Sequence, residues 1–129
     1  MGLFFNKKSS AAREEPSGFP WTPLQTIDDL ELLVKASFEQ PQVVFKHATS
    51  CAISRMVKSN FEEEYLQLPS GMVFHYLDLL AYRSVSNAIA DTLKVRHESP
   101  QLLVIKNGEV GTHASHSDIL NINLFEIAD

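Results

Sequence analysis

One thiol and one X–Pro bond carry the chemistry this chain can offer. The stretch "VVFKHATSCAIS", residues 43–54, holds the sole cysteine of the 129 residues, Cys51. It comes six residues after the end of the apolar run at Phe45, behind Lys46, His47, Thr49 and Ser50. Free cysteine usually packs as a small hydrophobe. A packing cysteine belongs inside the apolar run, so this placement favours a reactive thiol. Ser54 follows one helical turn later, so its hydroxyl is expected to point back toward the sulfur. In a C-x-x-C motif that position holds a resolving thiol. With no second cysteine, any redox cycle must be monothiol: Cys51 attacks a mixed disulfide, carries the small thiol away, and is regenerated by an external thiol.

Helix N-termini and nearby cations favour thiolate over thiol. If Cys51 opens a helix, it is expected to react as a thiolate near neutral pH, with Lys46, His47, Arg55 and Lys58 as candidate cations. For Lys58 a solvated surface charge is the stronger expectation. Ser99-Pro100 stands at the entrance of a later strand, where no ladder donor is needed. A cis bond is expected there, turning the Ser99 backbone toward the sulfur, and its intrinsic cost is small, ~0.5–1 kcal/mol.

The elements that must position these groups follow from periodicity. Thr26 with Asp29 reads as a capping box, and Leu30, Leu33, Val34 and Phe38 recur at helical spacing until Pro41. "QVVFKH" is a buried strand. From Ser50 a helix is expected with Ile53, Met56, Val57 and Phe61 on its inner face, leaving Arg55, Lys58 and residues 62–64 outside. "MVFHYLDL" is a strand, and "SVSNAIADTLKV" a helix carrying Val85, Ile89 and Leu93. "QLLVIKNGEVGTH" is a hairpin turning at Asn107-Gly108. Ser115 is a candidate cap for a last helix with Ile119, Leu120, Leu124 and Ile127.

The order α-β-α-β-α-β-β-α predicts an α/β domain: a four-stranded mixed sheet flanked by helices, with the connectivity of the thioredoxin fold. Residues 1–20 read as a disordered tail and 21–129 as one domain. A weak membrane-surface role for Gly2 to Phe5 with Lys7 and Lys8 ranks below disorder.

Composition narrows the classes. Net charge is −5, so the basic face of a general nucleic-acid binder is missing. One cysteine excludes an internal disulfide framework. No apolar stretch is long enough to span a bilayer, and the N-terminus lacks the order of a signal peptide, so a cytoplasmic protein is expected. Cys51 with His47, His113 and His116 lacks the paired spacing of a zinc site, and no metal is expected. A Cys–His hydrolase using Cys51 with His97 or His47 lacks an oriented third group. A binding module with an incidental thiol remains the non-enzymatic alternative.

The blocks "FKHATSCAIS", "YLDLLAYRSVSNAIA", "HESPQLLVIKNGEV" and "SHSDI" together resemble the monothiol bacilliredoxins of the bacillithiol system, the YtxJ-like proteins. The similarity runs from Trp21 to about Ile119 and is most specific around Cys51 and Pro100. It implies a thioredoxin-like fold and removal of bacillithiol from protein mixed disulfides. On matching positions it implies Cys51 as nucleophile, Ser54 in the resolving position and Pro100 as the cis-proline. Ala52 stands where proline is frequent in such motifs. "CAIS" departs from the Gly-Phe of cluster-binding monothiol glutaredoxins, so no cofactor is expected. Bacillithiol is the expected co-substrate and S-thiolated proteins the expected partners. A small thiol on Cys51 is expected between the Ser99 backbone and the Ser115, His116, Ser117 segment. N–H groups there would hold a carboxylate, helped by Lys46, His47 or Arg96. A glutathione-using, glutaredoxin-like activity is the enzymatic alternative.

Overall fold

Strong β-branched and aromatic character in residues 42–47 and 73–78, and in 101–106, makes three strands that can be buried on both faces. In the computed structural model, which describes residues 18–128, these are the centre of a five-stranded sheet. The elements are β1 (Trp21–Pro23), α1 (Ile27–Ala36), β2 (Gln42–His47), α2 (Ala52–Glu64), β3 (Val73–Asp78), α3 (Arg83–Leu93), β4 (Gln101–Lys106) and β5 (Glu109–Ser115). A short 3₁₀ helix (His116–Asn121) and one turn of α4 (Leu124–Ile127) close the chain. The sheet order is β1-β3-β2-β4-β5. β2 and β3 are parallel across the α2 crossover, and β4 is antiparallel to both β2 and β5.

The sheet thus has five strands instead of the four expected. The extra one is β1, three residues paired in parallel with β3. Its brevity and its Pro23 hide it from a period-two reading. Phe19, placed by the sequence in the tail, packs its ring against Trp21, Phe61 and Phe74. The remaining tail expectation, including the membrane-surface reading, falls on residues 1–17, outside the described residues.

Alternation along β2 divides the interior into two layers. Val44 faces α1 and α3 with Leu33, Leu77, Val85, Ile89, Leu103 and Ile105. Val43 and Phe45 face α2 and the 3₁₀ helix with Val57, Phe61, Leu102, Val104 and Ile119. The capping box forms as expected: Asp29 N–H donates to Thr26 Oγ1 at 2.9 Å, and Thr26 N–H to the Asp29 carboxylate at 3.2 Å. Asn107 and Gly108 both take positive φ, +53° and +80°, as a two-residue hairpin turn requires.

Three expectations about helices change. α1 ends at Ala36, so Phe38 lies beyond it, largely exposed, with its ring over Gly108. On α2, Val57 and Phe61 are buried, but Ile53 and Met56 are half exposed and Ser54 and Lys58 are inside. Polar partners in the interior admit Ser54 and Lys58, and hydrophobic spacing alone cannot see partners. The last helix is the 3₁₀ turn plus four residues of α4; Ser115 ends β5, and its hydroxyl makes no cap bond.

Candidate active site

Two parallel strands, an antiparallel neighbour and two helix starts meet at one end of the sheet, and Cys51 lies there. β2 runs out at His47, Ala48–Ser50 turn the chain, and Cys51 is the N-cap of α2 in extended backbone, φ −100°. Its N–H donates to the Ala48 carbonyl at 3.0 Å, and its carbonyl accepts from Arg55 N–H at 3.1 Å. The side chain makes no cap hydrogen bond, is half-buried, and rests on the layer under α1 and α3. The sulfur therefore stands at the start of a 13-residue helix, where main-chain N–H groups converge.

Pro100 enters the same end from β4. The ladder pairs Lys46 with Gln101, so Pro100 lies one step on, opposite His47. The Ser99-Pro100 bond is cis. The Pro100 carbonyl accepts from His116 N–H at 2.9 Å, which brings the first turn of the 3₁₀ helix to this loop. Ser99, Pro100, Ser115 and His116 are therefore neighbours, as the sequence implied. The Ser115 hydroxyl, however, donates to the Glu98 carboxylate, which holds that carboxyl below its usual range. His116 and Ser117 are exposed.

The expected cations do not ring the sulfur as an exposed set. Lys46 is completely buried, and its Nζ donates to the Ser86 carbonyl at 3.3 Å and meets His97 Nδ1 at 3.3 Å. Burial pulls its ammonium down to about 8. His47 is also completely buried, with Nδ1 at 2.7 Å from Ser54 Oγ. Neither side chain can reach out to grip a carboxylate, which corrects the role expected of both. Strand alternation explains it: β2 is central, so both faces of every residue are covered. Lys58, expected in solvent, is buried too; its Nζ pairs with Glu62 at 2.8 Å and lies over the Trp21 and Tyr76 rings. Arg55 alone of the four stays outside, donating from Nη1 to the Thr49 carbonyl at 2.9 Å.

Ser54 is turned inward instead of toward the sulfur. Its oxygen accepts from Ala48 N–H at 3.1 Å and shares a proton with His47 Nδ1. That ties the first turn of α2 to the end of β2 and fixes where Cys51 stands. Ser54→Ala leaves the buried Ala48 N–H without its acceptor. A loss of about 1–3 kcal/mol is expected in urea unfolding, with thiol transfer retained by the folded fraction. A variant as stable as the parent would show that this bond does not hold the turn.

The sequence reading missed the polar side chains that hold the Pro100 loop. Gln101, buried at the start of β4, donates from Nε2 to the Arg96 carbonyl at 2.9 Å and accepts from Glu98 N–H at 3.5 Å. Ser86 Oγ lies 3.3 Å from His97 Nδ1. The available signal was Lys46 itself, a charge inside a strand otherwise made of core residues.

Residues 22–124 match the family model of the monothiol bacilliredoxin BrxC. The chain belongs to the monothiol bacilliredoxins. Among solved structures, a proposed oxidoreductase with a thioredoxin fold is 31% identical, with TM-score 0.66 over 78% of this chain and 86% of the other. Thioredoxin from Fasciola hepatica superposes with TM-score 0.63 at 21% identity, covering 83% and 98%. Thioredoxin from Trypanosoma brucei brucei gives 0.66 at 14% identity, covering 88% and 96%. The last two show the fold, which is thioredoxin-like, and family and fold together give this bacilliredoxin a thiol redox function. Among the described residues, no helix is long and apolar enough to cross a membrane.

Proposed function

We propose that this bacilliredoxin removes bacillithiol from protein mixed disulfides through Cys51, using no bound cofactor or metal. The observation that carries the reading is the placement of the lone thiol, half-buried and unspent on capping, at the start of α2 beside the Pro100 loop. The Cys51 thiolate attacks the small-thiol sulfur of the mixed disulfide. The sulfur–sulfur bond breaks, and the client departs as a thiolate that takes a proton from water. A new disulfide joins Cys51 to the small thiol, and a second small thiol attacks it, leaving as the symmetrical disulfide and restoring Cys51. A reducing cytoplasm supplies such a pool.

Protein clients fit the surface around the sulfur. Ile53 and Met56 on α2, and Leu80 in the loop after β3, are exposed apolar side chains at this end of the sheet. Among the described residues no hydrogen bond engages the Ser99 backbone, which suits it to pair with a docked segment. With Lys46 and His47 withdrawn from the surface, Ser99, His116 and Ser117, with Arg96, are the groups left to contact the small thiol. The Ser115 hydroxyl serves through Glu98.

The choice of bacillithiol over glutathione rests on the family. Both carry two carboxylates, placed differently along the molecule. One client protein capped with bacillithiol, and the same client capped with glutathione, offered at equal concentration, decides it. Faster release of bacillithiol is expected. Faster release of glutathione would make this a glutaredoxin-like enzyme.

A further inference from the structure

A completely buried lysine with a carbonyl and an imidazole for partners is costly to keep. Desolvating an ammonium costs several kcal/mol, and an apolar residue of similar volume is often as stable or more so. Lys46 occupies that position. It lies on the α1/α3 side of β2, between Val44 and Ala48, where neighbouring side chains are apolar. Its Nζ has two partners, the Ser86 carbonyl on α3 and Nδ1 of His97 in the loop before β4. Packing does not call for such a residue, so its contacts are where its use must be sought.

His97 belongs to the Pro100 loop, and Ser86 on α3 places its own hydroxyl 3.3 Å from the same His97 Nδ1. Gln101, directly across the ladder from Lys46, also sends its side chain to this loop, taking the Arg96 carbonyl and the Glu98 N–H. Ser115 holds Glu98 from β5. Residues 96, 97 and 98 are thus each tied by a side chain from a different strand, and Ser99-Pro100 follows at once. Lys46 is the tie from the central strand that also carries Cys51 at its exit.

We infer that Lys46 is a positioning residue for substrate docking, acting through His97 to hold the segment 96–99 against the end of β2. The inference rests on the thiol-transfer reading of Cys51 for its kinetic part alone; the structural part stands without it. Misplacement of a docking edge raises KM more than it changes the bond-breaking step.

The test uses the full chain with Lys46→Met, His97→Ala and the double variant. Lys46→Met is expected to unfold at a temperature equal to or above the parent's. Alkylation of Cys51 by iodoacetamide, which needs no docking, is expected to stay within about twofold. KM for a thiol-capped client protein should rise about tenfold, with kcat within about threefold. His97→Ala should show the same KM rise, and the double variant no more than either single one, because both remove one contact. Additive losses would mean that His97 meets the substrate by itself, and an unchanged KM in Lys46→Met would mean that Lys46 positions nothing; either overturns the inference. Amide hydrogen exchange separates this from failure of the functional reading. Exchange over residues 96–99 should quicken in Lys46→Met and not in β2 or β3, even if the parent transfers no thiol. Unchanged exchange there sinks the inference whatever the turnover. Should Lys46→Met fail to fold, His97→Ala, altered at an exposed side chain, carries the same exchange comparison.

Discussion

Cys51→Ser is expected to abolish thiol transfer, by on the order of 10³-fold or more, while leaving the fold unchanged. The nucleophile in disulfide exchange is a thiolate, and an alcohol at the same position is neither ionised near neutral pH nor able to form the intermediate disulfide. The fold has little to lose. Cys51 is half-buried, its side chain makes no cap hydrogen bond, and serine is itself a favoured N-cap. Stability should therefore stay level or rise slightly while release of the small thiol falls to the uncatalysed rate. Both are read from one preparation, by thermal unfolding and by mass analysis of a capped client. Turnover near the parent's would mean that the thiol is incidental and that the binding-module reading is the better one.

The second large effect is a loss of stability in weak acid, set by His75. This imidazole sits on β3, buried, with Nε2 donating to Gln42 Oε1 at 2.7 Å. Gln42 is in turn fixed by donating to the Gln40 carbonyl at 3.0 Å. Burial disfavours the charged ring and lowers its pKa to about 4, against a weaker opposing pull from Asp29. The unfolded chain protonates His75 near 6.5. Between those values the unfolded state binds more protons than the native one, so stability is complete above about 6.5 and falls as pH drops toward 4. The loss is about 2 kcal/mol between pH 7.5 and pH 5, at about 1.4 kcal/mol per unit. The carboxylates of Asp29 and Glu98, both held below their usual range, release most of their contributions at lower pH, whereas His97, whose pKa burial also lowers, adds to the loss with the same sign. Urea midpoints at the two pH values measure it. His75→Gln should remove most of the difference, leaving the smaller part that His97 contributes, and an equal pH dependence in the variant would remove His75 as its cause.

Much of this protein is written in local patterns, because local patterns are made by forces that act over a few residues. Thr26 with Asp29 specifies the start of α1 through hydrogen bonds spanning three positions. Asn107-Gly108 specifies the hairpin through the positive φ that both residues tolerate. Val85, Ile89 and Leu93 specify the inner face of α3 by spacing alone. The place of Cys51 at a strand-to-helix junction follows in the same way, and with the blocks around Cys51 and Pro100 it leads to the family. What the tertiary structure decided is which polar groups lie inside. Lys46, His47, Ser54, Lys58 and Gln101 look like surface residues one at a time, and each is buried where folding supplies a polar partner: the Ser86 carbonyl for Lys46, His47 and Ser54 for each other, Glu62 for Lys58 and the Arg96 carbonyl for Gln101. Ile53 and Met56 look like core and are left outside, because Ser54 and Lys58 take the inner face of α2. Such choices depend on what stands opposite after folding, and a hydrogen bond between residues 40 positions apart, as from Lys46 to Ser86, leaves no periodic trace in the chain.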